Sequence, residues 1–257
     1  MDLQRLIVKD LIPKAKGNAW VVLGLALAVA LGAVLLFVEA FGEIAESVAD
    51  NEGVAIWDKG ILDWAVTNRD TWPTGLISWY SNTGGPIWQP IVTFAVAALL
   101  VWRWRDITPL ILTAIAAGGS LLMTIVGKNV YHRARPPLEL AVPPHESSFS
   151  FPSGHTLNAT VIVGILAYLL IRHFWDRPLW LRILIAAAAA VYAISMGLTR
   201  VFLGHHWFTD VLGGWALGLA WVAVVIALHR VWRAVRRDRE RGPIEEEGAR
   251  PQVEQGS

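Results

Sequence analysis

The 257-residue chain carries 22 basic and 21 acidic side chains, a formal net charge of +1 and no cysteine. Charged residues make up 17% and hydrophobic ones 54%, with a mean hydropathy of +0.46, against roughly a quarter charged in soluble domains. This excludes a disordered chain, disulfide frameworks, thiolate nucleophiles and Cys-ligated metals, and it leaves no overall basic field to recruit nucleic acid.

A membrane-spanning helix needs about 20 apolar residues, and six stretches qualify in chain order. They are Trp20 to Phe41, Ile87 to Trp102, Ile107 to Val126, His155 to Phe174, Leu179 to Leu198 and Trp207 to Leu228. The first follows basic residues, but its apolar run exceeds the usual 7 to 15 residues of a signal-peptide core and reads as a retained span. The second is short, with Pro90 near its start.

Basic flanks orient the spans. Arg5, Lys9, Lys14 and Lys16, then Arg103 and Arg105, then Arg172 and Arg177, then the block from Arg230 to Arg241 all fall on one side. That side is expected to be the cytoplasm, with both termini on it and the protein in the plasma (inner) membrane. The opposite side receives the acidic segment Gly42 to Thr83. There Trp57, Ile61, Trp64 and Ala65 share a helical face, which predicts a short amphipathic helix on the membrane surface. Many of the tryptophans punctuate span ends, as interfacial anchors do. Gly214 and Gly218 form a small-xxx-small pair suited to close helix packing. The expected fold is an all-α six-span transmembrane bundle over residues 1–236, with a disordered cytoplasmic tail at 237–257. Nothing in the pattern specifies an oligomeric state.

Three polar clusters interrupt the apolar pattern, and the six-span layout brings all three to the face opposite the cytoplasm. The first holds Lys128, Arg133 and Arg135 where the positive-inside rule disfavours cations. Lys128 and Arg135 are seven apart, two turns on one helical face, before Pro136 and Pro137 end any helix. Such a pair can bind phosphate oxygens or lipid headgroups. The second, Ser150 to His155, looks like a helix N-terminus: Ser153 can cap, and Gly154 lets the free N–H groups approach an anion. The third runs from Thr199 and Arg200 to His205, His206 and Asp210. The four-residue spacing lets Asp210 hold one nitrogen of His206 protonated and leave the other as nucleophile or base. His205 lacks that relation and reads as interfacial. A carboxylate such as Asp210 inside a span costs about 2.5 to 3.5 kcal/mol and needs a partner, for which Arg200 is a candidate.

The ordered set Lys128 with Arg135-Pro136, Pro152-Ser153-Gly154-His155, and Arg200 with His206 and Asp210 resembles the type 2 phosphatidic acid phosphatase (PAP2) superfamily. The family's third motif opens with Ser where this chain has Thr199. The resemblance implies a metal-independent, cofactor-free phosphatase or diphosphatase. By the same resemblance His206 forms a phosphohistidine, Asp210 orients it and His155 protonates the leaving oxygen. Lys128, Arg135, Ser153, Gly154 and Arg200 bind the phosphate. Neutral His206 together with protonated His155 predicts a bell-shaped pH dependence. The implied partners are membrane lipids and a lipid phosphate substrate: undecaprenyl pyrophosphate, phosphatidylglycerol phosphate or phosphatidic acid. Alternatives are a vanadate-dependent haloperoxidase, against which the six spans argue, and a non-catalytic lipid-phosphate binding or transport protein, which would need the cations but not the histidines.

Overall fold

The computed structural model describes residues 19–241. The N-terminal cations Arg5, Lys9, Lys14 and Lys16 and residues 242–257 of the expected tail lie outside them, whereas residues 237–241 of that tail are helical and not disordered. The described residues form helices α1 (Ala19–Asp50), α2 (Trp57–Thr67), α3 (Thr74–Thr83), α4 (Trp88–Trp104), α5 (Thr108–Tyr131), α6 (Gly154–His173), α7 (Leu179–Phe202) and α8 (Phe208–Arg241). Short 3-10 turns and loops join them, and no strand is found among these residues.

Five helices, α1, α5, α6, α7 and α8, are each long and apolar enough to cross a membrane. The second expected span behaves differently. Helix α4 has 17 residues, a rise of about 26 Å, short of the roughly 30 Å of hydrocarbon. It becomes a sixth span only together with α3, from which it is bent by 54°. Pro90 falls in the first turn of α4, where a missing N–H costs nothing.

Helix α6 sits at the centre of the bundle. Leu157, Val161, Ile165 and Leu169 on one side of it are buried against Leu112 and Ala116 of α5 and Val225 of α8. A transmembrane bundle gains little from apolar burial against apolar lipid, so contact has to come from close backbone approach. Gly214 and Gly218 supply it within the chain: a Cβ at Gly214 would lie 3.0 Å from Ser153 O, and one at Gly218 would lie 3.0 Å from Thr160 Cβ. The small-residue pair therefore serves the α6–α8 seam.

Helix α1 lies along α8, with Phe41 stacked 5.6 Å from Phe151. Its lipid face is exposed, and so are Trp102, Trp175 and Trp180 near other helix ends, as expected of interfacial anchors.

Helix α2 is present in the acidic segment, but its two faces differ from expectation. Trp57 and Trp64 are exposed, whereas Ala65 turns inward with Leu62 and Asp58. Arg69, just beyond α2, donates to Phe202 O at 2.8 Å and to Leu140 O at 2.9 Å, tying this segment to the end of α7.

Candidate active site

The C-terminal ends of α5 and α7, the N-terminal ends of α6 and α8, and the loop 132–153 meet at one end of the bundle. Each approach has a local cause. His132 adopts a left-handed conformation (φ 47°) and stops α5, so Arg135 lies on an extended segment and not two helical turns above Lys128. The two cations converge because the chain folds back. Lys128 Nζ donates to Ser148 Oγ at 3.1 Å and to Phe149 O, while Arg135 donates to Ser148 O at 2.7 Å.

A capping turn, and not a shared helical face, brings His206 to Asp210. His206 precedes α8, and Asp210, in its first turn, accepts from Trp207 N at 2.9 Å, the backward half of a capping box. Gly204 makes the preceding turn possible with φ +74°, and a Cβ there would run into Leu140 O.

The proton positions at His206 follow from its partners. Arg135 NH1 lies 3.1 Å from His206 Nε2, and a guanidinium can only donate, so Nε2 carries the lone pair. In the neutral ring Nδ1 then holds the proton and donates to Asp210 Oδ2 at 3.2 Å. Asp210 also accepts from the Ser150 hydroxyl and from Arg133 NH1 at 2.6 Å. His206 is fully buried. Its pKa falls well below 6.5 because of burial first, then Arg135 and Arg200. Nε2 thus turns its lone pair toward the cations.

Arg200 is 1% exposed. It does not partner Asp210, as the sequence allowed, but pairs with Glu146 and donates to Ser81 Oγ at 2.9 Å. Its Nε is buried with no hydrogen-bond partner. Glu146 Oε2 also accepts from Arg135 NH2 at 2.7 Å, and Glu146 Oε1 lies 3.8 Å from His155 Nδ1. Burial opposes charge on Glu146, but Arg200 and Arg135 outweigh it and hold its pKa at about 2. One carboxylate therefore bridges two of the cations named for phosphate binding.

Ser153 caps α6, its oxygen accepting from Thr156 Oγ1 at 2.9 Å, which leaves its own proton available. Gly154 sits against Thr124 of α5, whose Cγ2 lies 2.9 Å from where a Cβ would be. Thr199 keeps the hydroxyl of the serine it replaces: it donates to Met196 O at 2.7 Å and lies 3.1 Å from Ser81 Oγ. His205 is buried, not interfacial, with Nε2 at 2.6 Å from Val142 O.

Four site-lining residues went unassigned from sequence. Glu146 is a lone acid in a loop and carries no pattern. Ser150 stands in the second cluster but shows no spacing that gives it a role. Asp58 is one of several acids in its segment. Arg133 had a signal, a cation on the disfavoured side of the membrane. It bridges Asp210 and Asp58, reaching Asp58 Oδ2 at 2.7 Å, while Asp58 Oδ1 accepts the Thr209 N–H at 2.9 Å in the first turn of α8.

The profile of the PAP2 superfamily matches residues 106–234. Phosphatidylglycerophosphatase B of Bacillus subtilis is 34% identical over 167 residues, 63% of this chain and 78% of that protein. Undecaprenyl-diphosphatase of Sulfolobus acidocaldarius is 31% identical over 157 residues, 58% of this chain and 66% of that protein. A crystal structure of a transmembrane PAP2-type phosphatidylglycerolphosphate phosphatase from Bacillus subtilis superposes with a TM-score of 0.70 at 29% identity, covering 77% of this chain and 96% of that one. The chain belongs to the PAP2 superfamily. Its class is that of the multi-pass membrane phosphatases, which are hydrolases.

Proposed function

We propose that the chain removes a phosphate from a lipid monophosphate or diphosphate, without a metal, through a phosphohistidine on His206. The observation that carries this reading is the contact of His206 Nε2 with the donor-only guanidinium of Arg135, with Nδ1 held by Asp210. A binding or transport protein would need the cations but not this oriented base.

His206 Nε2 attacks phosphorus as the bond to the leaving oxygen breaks and His155 gives that oxygen its proton. Water then attacks the phosphohistidine, passing a proton to His155 as the P–N bond breaks, which frees phosphate and restores neutral His206. Lys128, Arg135 and Arg200, with the Ser153 hydroxyl and the Gly154 N–H, stabilise charge on the other phosphoryl oxygens. Phosphoryl transfer asks mainly for positioning and electrostatics. The partnerless Nε of buried Arg200 supports this assignment, because a phosphate oxygen would supply its acceptor. So does the position of Glu146, whose carboxylate takes the contacts that a phosphate oxygen would take on Arg135 and Arg200. The three cations provide the charge that a metal would otherwise bring.

The site opens to the periplasm or cell exterior, since Arg103, Arg105, Arg172 and Arg177 lie at the other end of the bundle. Substrates are then lipids presented in the outer leaflet, phosphatidylglycerol phosphate and undecaprenyl pyrophosphate foremost, the groups named in the two relatives. Gly85, in the α3–α4 break, lies against His155: a Cβ there would be 3.4 Å from His155 Nε2.

The test is phosphate release from a panel of lipid mono- and diphosphates in detergent with EDTA. Turnover is expected in the wild type and a loss of about 10⁴-fold or more in His206→Ala, which deletes the nucleophile. Activity abolished by EDTA and restored by a divalent metal, or near-normal turnover in His206→Ala, contradicts the reading.

A further inference from the structure

At the opposite end of α5, α6 and α8 lies a cavity of about 670 Å³ that has no part in the chemistry above. It opens beside Thr108, whereas Lys128 of the same helix reaches the candidate active site. Twenty residues of α5 separate the two by about 30 Å, a membrane thickness.

Arg172, Arg230 and Arg233 line the cavity against a single acid, Asp106. That acid is already engaged: Asp106 Oδ1 accepts the Thr108 N–H at 2.9 Å and the Thr108 hydroxyl at 2.6 Å, capping α5. Among the described residues, no carboxylate lies within salt-bridge distance of any of the three guanidinium groups. Three neighbouring cations facing one carboxylate leave a positive excess that an anion would relieve.

One of them is held in place. Arg172 NH1 lies 3.5 Å from Nε2 of His229, at the long limit of a hydrogen bond, and His229 is itself buried at 4% exposure. Because guanidinium only donates, Nε2 accepts and Nδ1 donates to the Tyr168 hydroxyl at 2.8 Å. The buried histidine, with the half-buried tyrosine behind it, thus braces the arginine. The rest of the wall is apolar or aromatic, with Trp104 stacked on His173 at 4.3 Å and Trp175 at the rim.

We propose that this cavity binds the phosphate of an anionic phospholipid in the leaflet it faces, as a site separate from the candidate active site. Unpaired guanidinium groups supply forked donors for phosphate oxygens. The tryptophans stand at headgroup depth, where amphipathic rings are favoured. The volume exceeds what a free phosphate ion fills and suits a headgroup with its glycerol.

The probe is dioleoylphosphatidylglycerol, counted per chain by native mass spectrometry on the full-length protein in neutral detergent. Arg172→Gln/Arg233→Gln alters the cavity, whereas Arg103→Gln/Arg105→Gln removes the same charge from the same end of the bundle outside it. The wild type and the outer pair are expected to retain the lipid alike, and the cavity pair to lose it by about tenfold in apparent affinity. Inorganic phosphate at equal concentration is expected to leave the lipid in place. Equal losses in both pairs would reduce the effect to general surface charge and overturn the proposal. Equal displacement by inorganic phosphate would make the ligand a soluble anion and overturn it too. If the cavity pair does not elute as a folded species, the exposed single variant Arg230→Gln is read in the same assay: a threefold or greater loss is expected, and no loss overturns the proposal.

Discussion

Arg135 touches both His206 and Glu146, so its charge bears on each. Burial first, and then the charge of Arg135 at Nε2, lower the pKa of His206 well below 6.5. On the proposed mechanism the reactive form is the neutral one, and a lowered pKa carries it further into acid. The acid limb of kcat/KM, corrected for substrate ionisation, is therefore expected to have its midpoint below pH 6.5. A midpoint above that value contradicts the assigned surroundings of His206. Glu146 works in the other direction. Its carboxylate occupies the donors of Arg135 and Arg200, so it competes with bound phosphate. Glu146→Gln is expected to tighten competitive inhibition by inorganic phosphate about tenfold, roughly 1.4 kcal/mol. Unchanged or weaker inhibition would mean that the carboxylate does not compete. Neither effect could be read from sequence, because Glu146 meets its partners only after the 132–153 loop folds back over the helix ends.

Between elements, the contact that matters most is the one from α2 to the start of α8. Asp58 receives Arg133 and also caps Thr209, while Arg133 reaches past it to Asp210. Removing Asp58 leaves Arg133 with Asp210 alone and takes the acceptor from the buried Thr209 N–H and hydroxyl, which costs about 1 to 3 kcal/mol. Asp58→Ala is expected to lower the melting temperature in detergent and, on the proposed mechanism, to cut kcat more than it raises KM, because Arg133 loses one of the two carboxylates that fix it against Asp210. A variant with normal stability and kcat would show that the network is incidental. Helix α2 itself was legible from the spacing of Trp57, Ile61 and Trp64, but its inward face was not. Leu62, Ala65 and Asp58 are as regular a stripe as the tryptophans, and only tertiary contact decides which stripe turns inward. The same limit applied at His206. The spacing to Asp210 was informative, yet the contact arises from a capping turn before α8 and not from a turn of helix.

On the scale of the whole molecule, run length and hydropathy carried most of the fold. The five long spans stood out because their apolar runs exceed what a soluble core needs. Of the broken α3–α4 span only the α4 half did, since α3 is polar enough to read as loop. All three motif clusters were visible because charges are costly in hydrocarbon and so mark function. Glu146, Ser150, Asp58 and Arg133 act only through contacts distant in sequence. Sidedness can be tested directly, because the chain has no cysteine to interfere. Lys59→Cys, on α2 at the candidate-site end with its side chain 83% exposed, is expected to react with a membrane-impermeant maleimide in intact cells. Asp176→Cys, exposed between α6 and α7, is expected to react only after permeabilisation. The reverse pattern would put the site in the cytoplasm. The central claim is chemical, and rapid-quench trapping with a ³²P-labelled lipid phosphate tests it most directly. The wild type is expected to carry an acid-labile, base-stable label at His206, lost in His206→Ala and retained when His206 is left intact in His205→Ala. An enzyme that turns over fully with no label at His206 would contradict the account.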